Sequence, residues 1–339
     1  MANNITILEL AAALGLSKST VSRAFRDNND IKPATKEMIL KKATEMGYAP
    51  NLYASNLRGN KSYTIAIVIP EFGNKFFSQA IKGIEKITRS KNYHILIYVT
   101  EHDATNEANI VRTVINGRVD GVIMSASGEG KSHTYLDLLK QHHIPLVFFD
   151  RYYEDVNTVC VTGNDYEASF EATEHLIQNG CKKIGYLAIN KDFSIGKIRM
   201  DGYLNALRKH GIASDERLIV DTYNETEKSL RDIENLILHM RPDGIFAAVE
   251  RLAISTLRAC RAHQIRIPED LKLICFSCLD IADILNPPLS VVKQPAFEMG
   301  KRAAECLLDL LAAKRQSEKK ELIILPSELI YQASSGGKI

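Results

Sequence analysis

Ten residues, "LSKSTVSRAF" at positions 16–25, hold four hydroxyl side chains (Ser17, Ser19, Thr20 and Ser22) and two cations, Lys18 and Arg23. Serine and threonine compete with the backbone inside helices, so their density here points to work done on something outside the helix. On a helix over 18–26, Val21, Ala24 and Phe25 make one narrow apolar stripe, and Lys18, Ser19, Ser22, Arg23 and Arg26 gather opposite it. Short hydrogen bonders mixed with cations suit the phosphates and base edges of duplex DNA. An arginine in that setting grips guanine through two hydrogen bonds, worth about 1–3 kcal/mol of discrimination. The local charge agrees: residues 1–61 carry nine lysines and arginines against five acids, although the whole chain is only +2. A local basic patch is implied, not a uniformly basic surface.

The elements that must position this face are readable nearby. Thr6-x-x-Glu9 is a capping box opening a helix with Ile7, Leu10, Ala11 and Leu14 inward. Gly15 ends it, Ser17 caps the second helix, and Pro33 begins a third that stops at Gly47. The spacing predicts an all-α helix-turn-helix headpiece over 1–49. Residues 50–61, "PNLYASNLRGNK", form a linker with room for about two helical turns.

From residue 62 the text changes to strand–helix alternation. "TIAIVIP", "HILIYVT", "DGVIMS" and "PLVFFD" make one series; after "TVCVTGND", "KIGYLAI", "ERLIVDT", "DGIFAAV" and "LKLICFS" make a second. Amphipathic segments lie at 166–179, 199–210, 227–240, 251–263 and about 297–314. Two series in tandem predict an α/β, two-lobed domain over 62–339 with doubly wound parallel sheets and a ligand crevice beyond the carboxyl ends of the strands. The expected division is about 62–162 plus 292–320 for lobe 1, and about 163–291 plus 321–339 for lobe 2.

The 339 residues, 45% of them hydrophobic, fit a globular chain of two or three domains. The six cysteines are scattered without a disulfide framework, and neither a leader nor an apolar run of membrane-spanning length is visible. A cytoplasmic location is expected, with no membrane partner.

"ITILELAAALGLSKSTVSRAF" followed by "GYAPNLYASNLRG" resembles the amino-terminal signature of the LacI/GalR family of bacterial transcription regulators. The two-lobed remainder is similar to that family's effector domain, which is like periplasmic binding proteins. The resemblance implies that Lys18 and Ser19 read bases, Thr20 and Ser22 touch phosphates, and Arg23 reads bases. Arg26 stands where asparagine is common and is assigned a phosphate contact. Thr6, Ser17, Tyr48 and Asn51 complete the DNA-binding set. Ala54 lets two linker helices approach over DNA, and Leu57 matches a minor-groove wedge; packing of that leucine on the larger domain is the alternative.

The resemblance also puts a small-molecule effector between the lobes. Phe76 and Phe77 match a position that stacks on the ligand, with a core role as the alternative for Phe77. Asp150 matches a polar pocket residue or else pairs with a neighbouring cation, and Arg151 follows it at the strand end. Arg199 fits an Arg-x-x-Gly pattern whose arginine reaches the ligand, and Gln294 a crossover-strand glutamine. Val249-Glu250 stands where many sugar-responsive members have Asn-Asp, and Cys275-Phe276-Ser277-Cys278 where they have Gly-Phe-Asp-Asp. Glu250 and Ser277 are therefore the expected contacts there. The departures favour an anionic effector, a sugar acid or sugar phosphate over a neutral sugar, paired with Arg199 and Arg151 or Arg251.

Other signals carry little. Cys275-x-x-Cys278 lacks a second metal-ligating pair, His142-His143 reads as a helix end, and "GEGKS" at 128–132 lacks P-loop spacing. No Gly-x-Ser-x-Gly elbow appears, so no enzyme and no cofactor beyond the effector are expected. The carboxyl end lacks leucine heptads, so no helical tetramerisation tail is predicted. The expected function is a homodimeric repressor of carbohydrate or related catabolic genes on a palindromic operator. The competing class is a cytosolic two-lobed binding protein that does not regulate DNA.

Overall fold

A computed structural model describes residues 5–25, 31–48, 61–128, 133–189, 194–222 and 227–337. The chain divides into two compact units, 1–62 and 63–339. Arg26, Asn51, Ala54, Leu57 and most of the 50–61 linker lie outside the described residues.

The first unit follows its capping chemistry. Helix α1 (Ile7–Leu14) opens on the expected box: the Thr6 backbone N–H donates to Glu9 Oε2 at 2.7 Å and the Glu9 N–H to Thr6 Oγ1 at 3.3 Å. Gly15 ends it at φ +62°, a left-handed conformation that glycine adopts without a side-chain penalty. Helix α2 (Lys18–Ala24) starts on Ser17, whose Oγ accepts from the Thr20 N–H at 3.2 Å, and α3 (Pro33–Met46) ends at Gly47. Leu10, Ala11, Val21, Ala24, Ile39 and Ala43 form the buried core of this three-helix unit.

The second unit contains two six-stranded sheets. The first has the order β11-β5-β4-β3-β1-β2, from β1 (Thr64–Ile69), β2 (His94–Val99), β3 (Gly121–Met124), β4 (Leu146–Phe149), β5 (Val159–Gly163) and β11 (Glu321–Leu325); every pairing is parallel. Helices α4 (Lys75–Ser90), α5 (Ala104–Val114), α6 (Asp137–Gln141) and α11 (Ala296–Ala313) accompany it. Its central strands are apolar without alternation because both faces are covered, each by its own apolar cluster.

The second sheet has the order β12-β10-β9-β8-β6-β7, from β6 (Ile184–Ile189), β7 (Ile219–Thr222), β8 (Gly244–Ala247), β9 (Lys272–Phe276), β10 (Ser290–Lys293) and β12 (Glu328–Ile330). Helices α7 (Asp165–Gln178), α8 (Ser194–Lys209), α9 (Glu227–Asn235) and α10 (Glu250–Ala262) accompany it.

Four expectations need correction. The run "ELIILPSELIY" does not stay in lobe 2. Glu321–Leu325 pairs in parallel with β5 of the first sheet, the chain crosses at Pro326-Ser327, and only Glu328–Ile330 joins the second sheet. That last strand is antiparallel, so the second sheet is not wholly parallel. Proline has no N–H for a sheet ladder, which suits the break. The helix expected from 199 begins at Ser194, and the segment to 240 changes after Asn235 into a wider π-helical turn at Leu236–Met240.

One contact packs two helices together against a face of the first sheet. Helices α4 and α11 cross so closely that a Cβ on Gly83 would lie 2.0 Å from Phe297 O, and one on Gly300 2.0 Å from Ala80 O. Only glycine allows that approach.

Candidate nucleic-acid interface and ligand cleft

In the headpiece, α2 turns its apolar stripe inward: Val21 and Ala24 are buried, and Phe25 lies against Tyr48 with ring centroids 5.5 Å apart. Lys18, Ser19 and Arg23 are exposed, and Thr20 and Ser22 half-buried. The hydroxyls order one another, with Ser17 Oγ 2.8 Å from Ser19 Oγ and 2.9 Å from Thr20 Oγ1, and Arg23 Nε–H reaching Ser19 O at 3.4 Å. The cations are thus held at the outer face of a capped helix, as a groove-reading helix requires. Thr6 and Ser17 are exposed and serve first as caps. Tyr48 is half-buried in the headpiece core, and burial raises its hydroxyl pKa.

In the larger unit all eight candidate ligand residues line one cleft between the lobes: Phe76, Phe77, Asp150, Arg151, Arg199, Glu250, Ser277 and Gln294. Lobe 1 supplies the start of α4 and the end of β4. Lobe 2 supplies α8, the start of α10 and the end of β9, with Gln294 following β10. These are the carboxyl ends of the strands, where an α/β sheet binds ligands. The pocket these residues line holds about 20 Å³, roughly room for one water.

Helix α4 begins on Asn74, whose Oδ1 accepts from the Phe76 N–H at 3.0 Å. Phe76 and Phe77 are both buried, with rings edge-to-face at 5.2 Å, and Phe77 continues to Phe149 at 6.2 Å. Phe77 both lines the cleft and belongs to the core.

Strand β4 ends in a three-residue turn closed by the Arg151 N–H to Phe149 O at 2.7 Å, with Asp150 at φ +62°. That left-handed backbone is uncommon outside glycine, although aspartate tolerates it better than most residues. Asp150 Oδ2 accepts from Ser125 Oγ at 3.4 Å and stands 3.7 Å from Arg151 Nε. Burial pushes its carboxyl up to about 6, against the opposing pull of Arg151 and Arg199. Arg151 Nη1 also meets His102 Nδ1 at 3.1 Å, and the Glu71 carboxylate lies beyond that histidine at 3.9 Å.

Arg199 is fully buried and heavily engaged. Its Nε–H donates to Asp165 Oδ1 at 2.6 Å, its Nη1–H to Ala248 O at 2.6 Å, and its guanidinium lies 3.7 Å above the Phe276 ring. Its Nη2 is 2.6 Å from the same Asp165 oxygen but is misdirected for a hydrogen bond, and it finds no acceptor in the protein. Gln294 Nε2 is likewise buried without an acceptor. On the lobe 2 floor, Glu250 Oε2 accepts from Ser277 Oγ at 2.8 Å and the Cys278 N–H at 3.1 Å. The substituted Val249-Glu250 and Cys275–Cys278 segments therefore satisfy each other. Burial and Glu250 push the Cys278 thiol up to about 11, the opposite of a reactive redox cysteine.

Sequence reasoning missed Asp165 and Phe276, which hold Arg199, and Asn74, which starts the Phe76 turn. Asn74 carried a signal, a capping side chain at the head of an amphipathic helix. Asp165 carried none, because its partner is 34 residues away. Among the described residues no cluster of metal-ligating side chains occurs, and no helix is long and apolar enough to cross a membrane.

Comparison with known proteins agrees with both units. A family model described as bacterial regulatory proteins, lacI family, matches residues 6–51, and one described as periplasmic binding protein-like domain matches 173–335. The chain is 27% identical over 330 residues to the ribose operon repressor of Haemophilus influenzae, covering 97% of this chain and 98% of the relative. It is 28% identical over 334 residues to the transcriptional repressor CytR of Escherichia coli K12, covering 97% and 96%. In fold it is similar to the Lac repressor dimer bound to operator and the anti-inducer ONPF, at TM-score 0.85 and 18% identity, covering 98% of this chain and 99% of that one. A helix-turn-helix headpiece followed in sequence by a two-lobed unit, this chain belongs to the LacI family of bacterial DNA-binding transcription regulators.

Proposed function

We propose that the chain works as a homodimeric repressor of carbohydrate or related catabolic genes, in the bacterial cytoplasm and on the nucleoid when bound. Two headpieces read the half-sites of a near-palindromic operator, since twofold symmetry in the protein calls for twofold symmetry in the site. Lys18, Ser19 and Arg23 read bases, while Thr20 and Ser22 anchor on phosphates. The exposed, hydrogen-bonded outer face of α2 carries this reading.

A small-molecule effector in the cleft is the controlling partner. Two buried donors without acceptors, Arg199 Nη2 and Gln294 Nε2, support a ligand rich in oxygen acceptors, a sugar or sugar derivative. Phe76 packs on its apolar face, and Asp150 meets its hydroxyls. The charge of Arg199 is already matched by Asp165, and that of Arg151 by Asp150. What remains for the ligand is directional hydrogen bonding, so a carboxylate or phosphate is not required.

Two measurements test this. Full-length protein is titrated onto genomic duplexes at increasing salt; affinity should fall steeply and linearly on a log–log plot. Arg23→Ala should weaken the tightest sites by about 10- to 100-fold while leaving circular dichroism unchanged, and equal affinity would refute the assignment. Calorimetry against neutral sugars, sugar acids and sugar phosphates then identifies the effector. Binding unaffected by Arg199→Lys and Gln294→Leu would remove the cleft from consideration.

A further inference from the structure

We propose that Glu107, which does not line the cleft pocket, is a positioning residue for Asp150: it clamps the segments that follow β3 and β4 and so holds the turn that presents the Asp150 carboxylate to the cleft. Glu107 is fully buried in the first turn of α5. A carboxylate taken out of water needs donors, because its desolvation costs far more than that of a neutral group. Glu107 has three, from three separate segments. The Ser127 N–H, beyond β3, donates to Oε2 at 2.6 Å. The Tyr153 hydroxyl, beyond β4, donates to Oε1 at 3.0 Å, and the Tyr135 hydroxyl, ahead of α6, donates to the same oxygen at 2.5 Å. Burial and the adjacent carboxylate raise both tyrosine hydroxyls, so they keep their protons and act as donors.

Three consecutive residues carry this grip to the cleft. Ser127 bonds Glu107, the Ala126 N–H donates to Arg151 O at 3.1 Å, and Ser125 Oγ donates to Asp150 Oδ2 at 3.4 Å. On the facing segment, Asp150 and Arg151 form the turn and Tyr153 leads back to Glu107. The Tyr153 hydroxyl also lies 3.1 Å from Ser127 Oγ and accepts from the Gly128 N–H at 3.3 Å. One carboxylate thus laces the two segments together beyond the turn. Asp150 needs such a restraint, since a left-handed residue other than glycine persists only where its surroundings over-determine it. Ser125, Arg151, Arg199 and Asp165 act directly on the Asp150 carboxyl. Glu107 reaches it through Ser127, Ala126 and the turn.

Asp150 reports on its own turn. Burial pushes its carboxyl up to about 6, so urea unfolding of wild type against Asp150→Asn gives a stability difference that changes between pH 4 and pH 7. The same comparison is made in full-length Glu107→Gln and Tyr153→Phe. If the clamp holds the turn, releasing it lets water reach the carboxyl, whose titration returns toward the ordinary value of about 4. The pH-dependent part of the difference should then be lost in Glu107→Gln and at least halved in Tyr153→Phe. A pH-dependent difference of wild-type size in both backgrounds, even with lower overall stability, would show that Glu107 only supports the fold and would overturn the proposal. So would its absence from wild type, since the turn would then not be holding Asp150 away from water. If Glu107→Gln does not fold, Tyr153→Phe, which keeps the ring stacked on His133, decides alone. That Asp150 meets the effector rests on the reading above; this test uses no effector, so the clamp and that reading can fail separately.

Discussion

Asp150 concentrates the physics of the ligand cleft in one side chain. It is buried, sits in a left-handed turn and has a carboxyl lifted to about 6. Between roughly pH 4 and pH 6 the folded chain holds this proton while the unfolded chain has released it. Stability therefore falls as pH rises through that window, and the loss is complete above it. A shift of about two units is worth about 3 kcal/mol. Urea unfolding of wild type and Asp150→Asn should show their stability difference changing by that amount between pH 4 and pH 7; a constant difference would disprove it. How much of this was readable beforehand differs residue by residue. Arg199 was identified from an Arg-x-x-Gly pattern and Asp150 from its place at a strand end. The cage around Arg199 is tertiary, however, built from Asp165, Ala248 and Phe276 on separate elements, and no local pattern announces it.

At the level of elements, the segments whose ends are chemically marked were the readable ones. Thr6-x-x-Glu9, Gly15, Ser17, Pro33 and Gly47 each act within a turn of their own position, so sequence and structure coincide there. The crossing at Pro326-Ser327 was misread because "ELIIL" and "ELI" are equally apolar, and nothing in either says which sheet will accept it. The α4–α11 contact was also invisible, since a glycine within a helical pattern does not reveal what presses against it. Its strength is testable. Gly83→Ala places a methyl against the backbone of Phe297 and should lower unfolding free energy by about 3 kcal/mol, more than ordinary overpacking at a site able to relax. An unchanged urea midpoint would show that the helices separate freely.

Across the whole two-lobed unit, the lobes are joined by Lys75 Nζ of α4 and Asp280 Oδ2, which follows β9, 2.6 Å apart. Both groups reach solvent, so the pair biases lobe closure modestly and loses its effect in high salt. Asp280→Lys should change effector affinity about two- to fivefold at low salt. Adding Lys75→Asp should restore it, and failure of the double swap would rule out direct coupling. The narrowness of the cleft pocket has a kinetic consequence. An effector of the sugar class proposed above would not fit a pocket with room for one water, so its capture would wait for the lobes to move apart. In stopped-flow mixing, the observed rate should climb with effector concentration and then level off at the rate of that movement. A trace rising in proportion to the highest concentrations would mean that the doorway already stands ajar, and the gene switch would then respond as quickly as its metabolite accumulates.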